Sequence, residues 1–169
     1  DAVKLQTYTP ESITLNSDKP WFRTREDSLW AGQKLYDLYK KAYTPWEWHH
    51  KLQKIANDLG LDFFSSPFDI DAVNKLETLN PPAYKIASLE ITDIPLIRRV
   101  ARTGKPIIVS TGIAEEEDIE LAIKTIRQEG NEQIALLKCT SAYPAPYSEI
   151  NLNAIPLLKE NYDVFPGLS

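Results

Sequence analysis

Six short apolar runs recur along the 169-residue chain, and each ends in hydroxyl side chains. They are Val3-Lys4-Leu5-Gln6-Thr7, Phe63-Phe64-Ser65-Ser66, Lys85-Ile86-Ala87-Ser88, Ile107-Ile108-Val109-Ser110-Thr111, Leu136-Leu137-Lys138-Cys139-Thr140-Ser141 and Phe165-Pro166-Gly167-Leu168-Ser169. The runs are near-continuously apolar rather than alternating, as in parallel strands covered on both faces. Strand starts are expected near residues 3, 62, 84, 106, 134 and 164. After the first gap they lie roughly 22 to 30 residues apart, the length of one strand–helix unit.

Helical patterns fill the intervals. Thr44-Pro45 opens one, with threonine at the cap and proline in the first turn. It runs through Trp48, Leu52, Ile55 and Leu59 and stops at Gly60. Asp69 is expected to cap the next, with Ala72, Val73 and Leu76 on one face. A third begins near Asp93-Ile94-Pro95, carries Leu96, Ile97 and Val100, and ends at Gly104. A fourth opens on Glu115, Glu116, Glu117 and Asp118, acids that suit the positive end of a helix dipole, and continues to Gly130. A fifth covers Leu152 to Leu158.

This alternation, without a Gly-x-Gly-x-x-Gly fingerprint, predicts an α/β fold. The expected architecture is an incomplete (β/α)8 TIM barrel supplying about six of the eight strands. A doubly wound open sheet is the alternative. Residues 1–169 read as one partial barrel domain. The interval 9–43 breaks the rhythm: it is polar and charged, and it holds Trp21 and Trp30, with Trp46 and Trp48 just beyond. It reads either as a surface loop with a small apolar cluster or as a lid or sugar-stacking wall.

Bulk properties exclude several classes. The net charge of −5 gives no general pull on nucleic acid or an anionic membrane. No stretch approaches the roughly 20 apolar residues of a membrane span, and no charged-then-apolar leader is visible. The single cysteine, Cys139, rules out an intramolecular disulfide and fits a reducing, cytoplasmic compartment. The chain lacks methionine, opens on Asp1-Ala2-Val3-Lys4 and stops at Gly167-Leu168-Ser169, both close to strands, and so reads as a piece of a longer protein. Such a piece is expected to be inactive alone, with strand edges at Val3 and Phe165 prone to pair with other chains.

A parallel barrel gathers its strand ends on one face, where hydroxyls and lysines would make a site for a phosphate or carboxylate. Lys85 is the sharpest signal, because an ammonium in an otherwise apolar strand needs a partner or an anionic ligand. A structural ion pair is the alternative. Period-two alternation puts Lys85 and Ala87 on one side and Ser88 on the other, so Ser88 reaches the site only where the strand ends. Lys4 and Gln6 share a face by the same rule. Glu90 lies where strand gives way to loop and suits a general base, or else caps the next helix. Ser66, Ser110, Thr111, Thr140 and Ser141 gain weight from recurrence, since single hydroxyls often cap helices. Either Lys138 or Cys139 faces inward, with Cys139 read as a small core residue. His49 and His50 are adjacent on a helix and do not share a face, so they read as surface or packing residues. No metal-ligand spacing is present.

At Lys85-Ile86-Ala87-Ser88, Ser110-Thr111-Gly112 and Cys139-Thr140-Ser141-Ala142-Tyr143-Pro144 the chain resembles the sialic acid synthase family. Val3-Lys4-Leu5-Gln6-Thr7 and Gly167-Leu168-Ser169 match as well, so the resemblance covers essentially the whole chain. Leu35-Tyr36-Asp37-Leu38-Tyr39 with Thr44-Pro45-Trp46-Glu47-Trp48-His49 looks closest to the pseudaminic acid synthase branch. The resemblance implies a phosphoenolpyruvate-condensing transferase that makes a nine-carbon nonulosonic acid and releases phosphate. It implies a barrel followed by a small antifreeze-like domain, which this chain does not include, and a homodimer.

By the same resemblance, phosphoenolpyruvate is held by Lys4, Ser66, Lys85, Ser88, Ser110, Ser141 and Ser169. Glu90, with Lys85, lies at the reacting carbons, and Gln6 and Tyr143 belong to the acceptor pocket. A divalent metal, Mn or Mg, is implied with ligands outside this chain. Ser141 stands where sialic acid synthases carry asparagine, and Trp30 lies near a position of an acceptor-binding asparagine. Both departures favour a 2,4-diacetamido-trideoxy sugar over N-acetylmannosamine, with sialic and legionaminic acid synthases as alternatives. Two other classes compete: a Schiff-base aldolase with Lys85 as nucleophile, and a non-enzymatic sugar-binding module.

Overall fold

Six strands form where the apolar runs stand: β1 (Ala2–Thr7), β2 (Asp62–Pro67), β3 (Tyr84–Ile86), β4 (Ile107–Ser110), β5 (Ile134–Lys138) and β6 (Phe165–Leu168). They come from a computed structural model that describes residues 1–26, 28–142 and 144–169. All neighbours are parallel, and the spatial order is the chain order, β1-β2-β3-β4-β5-β6. A doubly wound sheet reverses direction at a switch point. This sheet never reverses, so it is an arc of a singly wound barrel.

Among the described residues, three α-helices and a 3-10 turn, Pro20–Phe22, lie between β1 and β2: α1 (Pro10–Ile13), α2 (Leu35–Ala42) and α3 (Trp46–Asp58). The remaining connections carry α4 (Ile70–Glu77), α5 (Ile94–Ala101), α6 (Glu116–Gln128) and α7 (Ala154–Tyr162). Asp69 caps its helix as expected, accepting from Ala72 N at 2.6 Å, and Asp93, not Glu90, caps the next, accepting from Leu96 N at 3.0 Å. Among the described residues no helix is long and apolar enough to cross a membrane.

Three local expectations are corrected. Thr44 does not cap α3; Pro45 holds that place with ψ 137° and makes no side-chain cap. The residue before proline avoids the helical region, which keeps Thr44 outside. The last helix runs Ala154–Tyr162 rather than Leu152 to Leu158. Its stop is Asp163, in the left-handed region at φ 51°, a conformation aspartate tolerates better than most residues. The interval 9–43 is more than loop. It holds α1 and α2, and Arg23 bridges Lys34 across it. Its tryptophans do not gather into one core. Trp21, Trp30 and Trp48 are exposed, and Trp46 alone packs against the core.

Burial along the strands separates two faces. Phe63, Tyr84, Ile86, Ile107, Val109, Ile134 and Leu136 are buried beneath the helices. The alternate residues Phe64, Ile108, Ala135 and Leu137 are only half-buried, because they line the open lumen of the arc. Lys85 is in register with Ile108, and Ile108 with Ala135, so Lys85 belongs to the lumen row. Beside it, the phenol of Tyr84 points outward. Its hydroxyl donates to Glu77 Oε1 at 2.6 Å, and Lys105 Nζ donates to the same oxygen at 3.0 Å. Burial, then the bond to Glu77, pushes the Tyr84 phenol well above its ordinary pKa. This cluster ties α4 to the start of β4 and fixes β3 beneath the lumen.

Ile97 of α5 is fully buried, whereas Leu121 of α6 is 48% exposed. Ile97→Ala should cost about 2–5 kcal/mol in urea unfolding, and Leu121→Ala should stay within about 0.5 kcal/mol.

Candidate active site

The carboxyl ends of the strands collect most of the candidate residues on the lumen side. Gln6 pairs with Ser66, and one step beyond the Ser65–Tyr84 pair brings Ser66 beside Lys85. Lys85 is 9% exposed and Ser66 1% exposed. Lys85 Nζ donates to Ser110 Oγ, on the next strand, at 2.5 Å. Burial first, then the nearby Lys4 ammonium, lower the Lys85 pKa, and Cys139 and Glu90 oppose this. Lys4 itself is exposed on the edge strand, yet the wall beneath it desolvates its ammonium enough to lower its pKa. Two ammonium groups therefore share one space without a full complement of countercharge.

Ser88 does reach this site. Strand β3 stops at Ile86, and Ser88 opens a 3-10 turn, Ser88–Thr92, that swings its hydroxyl across to the next unit. There Ser88 Oγ accepts from Gly112 N at 3.2 Å. Gly112 also lies against the β5 loop: a Cβ built on it would fall 2.3 Å from Ser141 Oγ and 3.0 Å from the Cβ of Cys139. Ser88, Gly112, Cys139 and Ser141 thus meet at one point, contributed by three consecutive strand ends. Ser110 and Ser88 both accept a hydrogen bond, and among the described residues neither gives its own proton to an acceptor. Each hydroxyl keeps a donor for a ligand.

Glu90 completes the constellation from the same 3-10 turn. Its Oε2 is buried with no hydrogen-bond partner among the described residues. Burial raises its pKa, Asp93 adds to this, and Lys85 works against it. An orphaned carboxylate oxygen in such a place wants a donor, such as water or a sugar hydroxyl.

The remaining candidates are less connected. Gln6 and Ser169 are exposed, and their side chains make no hydrogen bond among the described residues; Ser169 N donates to Lys138 O at 3.0 Å and so extends β6. Tyr143 lies outside the described residues. Of the pair left open in β5, Lys138 points away from the lumen and donates to Cys139 O at 2.7 Å. Cys139 is not a core residue as expected. It is half-buried on the lumen side, because the β5 register continues its alternation past Leu137. Among the described residues no group of three or more His, Cys, Asp or Glu stands close enough to hold a metal ion.

The chain matches the NeuB family model over residues 1–169. It belongs to the NeuB family. A pseudaminic acid synthase of Helicobacter pylori is 50% identical over 169 residues, covering 100% of this chain and 49% of that protein. An N,N'-diacetyllegionaminic acid synthase of Legionella pneumophila is 32% identical over 173 residues, covering 100% of this chain and 48% of that protein. Among solved structures, the N-acetylneuraminic acid synthetase of Leptospira borgpetersenii, in complex with citrate, superimposes with a TM-score of 0.82. It is 29% identical, and the match covers 98% of this chain and 52% of that one. The chain spans about half the length of the curated relatives it matches.

One polar group of this NeuB-family chain was undervalued from sequence. His49 is fully buried on α3, while His50 is exposed. Pro45 O only accepts, so His49 Nδ1, 3.2 Å away, carries the proton. In the neutral ring Nε2 must then accept from Thr7 Oγ1 at 2.9 Å, and Thr7 in turn accepts from Ser65 Oγ at 2.7 Å. Trp46 stacks on the ring with centroids 4.6 Å apart. Thr7 and Ser65 are thus packing residues, and they lock β1 to β2 one residue from Gln6 and Ser66. The signal for this was present in the hydroxyls of both strands, but their partner is 42 residues from Thr7 in the chain.

Burial holds the His49 pKa below its ordinary 6.5. Protonation therefore favours the unfolded chain, and stability should fall as pH drops below about 6.5. Thermal unfolding of the wild type and of His49→Phe across about pH 5 to 8 checks this: the wild type should lose more of its Tm on acidification than the variant does.

Proposed function

We propose that the protein is a phosphoenolpyruvate-dependent synthase that makes a nonulosonic acid of the pseudaminic type. Its acceptor is a 2,4-diacetamido-trideoxy hexose, and inorganic phosphate is released. One observation carries the reading. Two ammonium groups, Lys4 and Lys85, and two hydroxyls with protons to give, Ser88 and Ser110, face an open lumen beside the unpartnered oxygen of Glu90. Identity of 50% to a pseudaminic acid synthase, against 32% to a legionaminic acid synthase, supports the choice of product.

The chemistry asked of these residues balances. Carbon 3 of phosphoenolpyruvate forms a bond to the acceptor's aldehyde carbon, whose oxygen takes one proton. Water adds at carbon 2, loses one proton, and phosphate leaves with cleavage of its bond to that carbon. Lys4, Lys85, Ser66, Ser88, Ser110, Ser141 and Ser169 hold the phosphate and carboxylate by charge-assisted hydrogen bonds. Glu90, its pKa raised by burial, hands the proton to the acceptor oxygen and then takes one from water. Gln6 and Tyr143 orient the acceptor. A divalent metal, Mn or Mg, would supply Lewis acidity, but the described residues do not form its site. As part of the same proposal, the enzyme works in the cytoplasm as a homodimer.

The test is phosphate release from phosphoenolpyruvate by the full-length enzyme with a panel of acceptor sugars. The expected order is diacetamido-trideoxy sugar first and N-acetylmannosamine far behind; the reverse order overturns the assignment of the acceptor. Lys85→Met should lower kcat/KM for phosphoenolpyruvate by about 10²–10³-fold, and Glu90→Gln should lower kcat by about 10²–10⁴-fold. The lowered pKa of a buried lysine also suits a Schiff-base nucleophile. Borohydride trapping with a keto acid separates the two, since an adduct at Lys85 would sink the synthase reading.

The pH dependence has a definite sign. Anion binding needs Lys85 charged, and its pKa lies below the ordinary 10.5. KM for phosphoenolpyruvate should therefore rise on the alkaline side earlier than an exposed lysine would allow, a shift that initial-rate measurements against pH would show.

A further inference from the structure

We infer that Gly112 is a positioning residue of the anion cradle, and that its backbone sets the hydroxyls of Ser88 and Ser141 for the ligand. The inference rests on the synthase reading and deepens it at the same site. Gly112 lies in the loop after β4, between the turn that carries Ser88 and the loop that carries Ser141. Its φ is not in the left-handed region, so conformation does not explain the glycine. Close approach does. A Cβ at this position would fall 2.3 Å from Ser141 Oγ, 3.0 Å from Ser88 Oγ and 3.0 Å from Cys139 Cβ.

These contacts act differently. The Ser141 hydroxyl hangs on one rotatable bond and would swing to another rotamer. Cys139 Cβ is rooted in backbone and yields only if the β5 loop shifts. Ser88 Oγ is also the acceptor of the Gly112 N–H, so pushing it away weakens the bond that orients it. This N–H occupies an acceptor position on Ser88 and leaves the hydroxyl proton for an anion. A single methyl at residue 112 thus removes two donors from the cradle at once. Gly112 is half-buried and lies outside the apolar core, so the same methyl should disturb little of what holds the fold together.

The test is Gly112→Ala in the full-length enzyme. KM for phosphoenolpyruvate should rise about tenfold or more, while KM for the acceptor and Tm stay near wild type. A KM for phosphoenolpyruvate within about twofold of wild type overturns the inference, as does an equal loss across all parameters with a lowered Tm. A double-mutant cycle keeps the question open to refutation if the alanine variant is poorly stable. Ser141→Gly should cost much less in the Gly112→Ala background than in wild type, whereas additive costs show that Gly112 does not act through Ser141. Calorimetric titration with inorganic phosphate, without turnover, separates this inference from the synthase reading. Weaker phosphate binding by Gly112→Ala supports the inference even where no acceptor is turned over, an outcome that sinks only the synthase reading. Equal binding by both proteins, or no binding by wild type, overturns it.

Discussion

The ammonium of Lys85 is held in a strand whose flanking residues, Tyr84 and Ile86, are fully buried. Among the described residues its partners compensate it only in part. Ser110 accepts one of its three hydrogen bonds, Glu90 attracts it weakly, and Lys4 repels it. A buried cation is tolerated only when partners or a ligand offset its desolvation. The surrounding architecture follows from this requirement. Helices cover one face of the sheet and leave the other open, so Lys85 loses much of its water without losing access to an anion. The outer cluster of Tyr84, Glu77 and Lys105 anchors β3 from behind. It fixes the lysine's Cα without neutralising its charge.

The singly wound order makes the cradle possible. Because every strand runs the same way and each lies beside its sequence neighbour, the ends of β2, β3, β4 and β5 deliver hydroxyls to one rim. The Ser88–Gly112–Ser141 junction draws on three consecutive strand ends, and a change of winding direction at β3 or β4 would scatter it to opposite edges. The rim is also braced from outside. The chain of hydrogen bonds from Ser65 through Thr7 to His49 crosses from β2 to β1 and into α3, directly behind Gln6 and Ser66.

Most of the sheet was legible in the sequence because its causes are local. Apolar runs of strand length, regular spacing and the acids Asp69 and Asp93 before helical stripes act within a few residues of one another. Lys85, Ser110 and Glu90 were legible for a related reason, since a charge or hydroxyl at the end of an apolar run breaks a pattern that is itself local. What escaped was set by distant contact. Cys139 was read as core because it is small and apolar in context, but the register with β4 and β6 turns it into the lumen. Of the two histidines read as surface or packing residues, His49 is the packing one and His50 the surface one, and what assigns them is the contact with Thr7. The last helix outran its apolar pattern because Asp163, not a glycine, ends it. Gly112 sits in the Ser110-Thr111-Gly112 motif, yet its role depends on loops that only the folded sheet brings together there.

The charges of the site leave two separate needs. An anion rich in acceptors would relieve the repulsion between Lys4 and Lys85 and take the free protons of Ser88 and Ser110. It would offer no donor to Glu90, whose buried Oε2 has none among the described residues. A second molecule carrying O–H groups answers that need, and a water molecule answers it as well. Binding of the anion also acts on Glu90 indirectly. Negative charge beside Lys85 offsets the cation that now opposes the rise in the Glu90 pKa. The carboxyl group is then driven further toward its protonated form. The same electrostatics that lower the Lys85 pKa therefore tie the protonation of Glu90 to the charge beside Lys85.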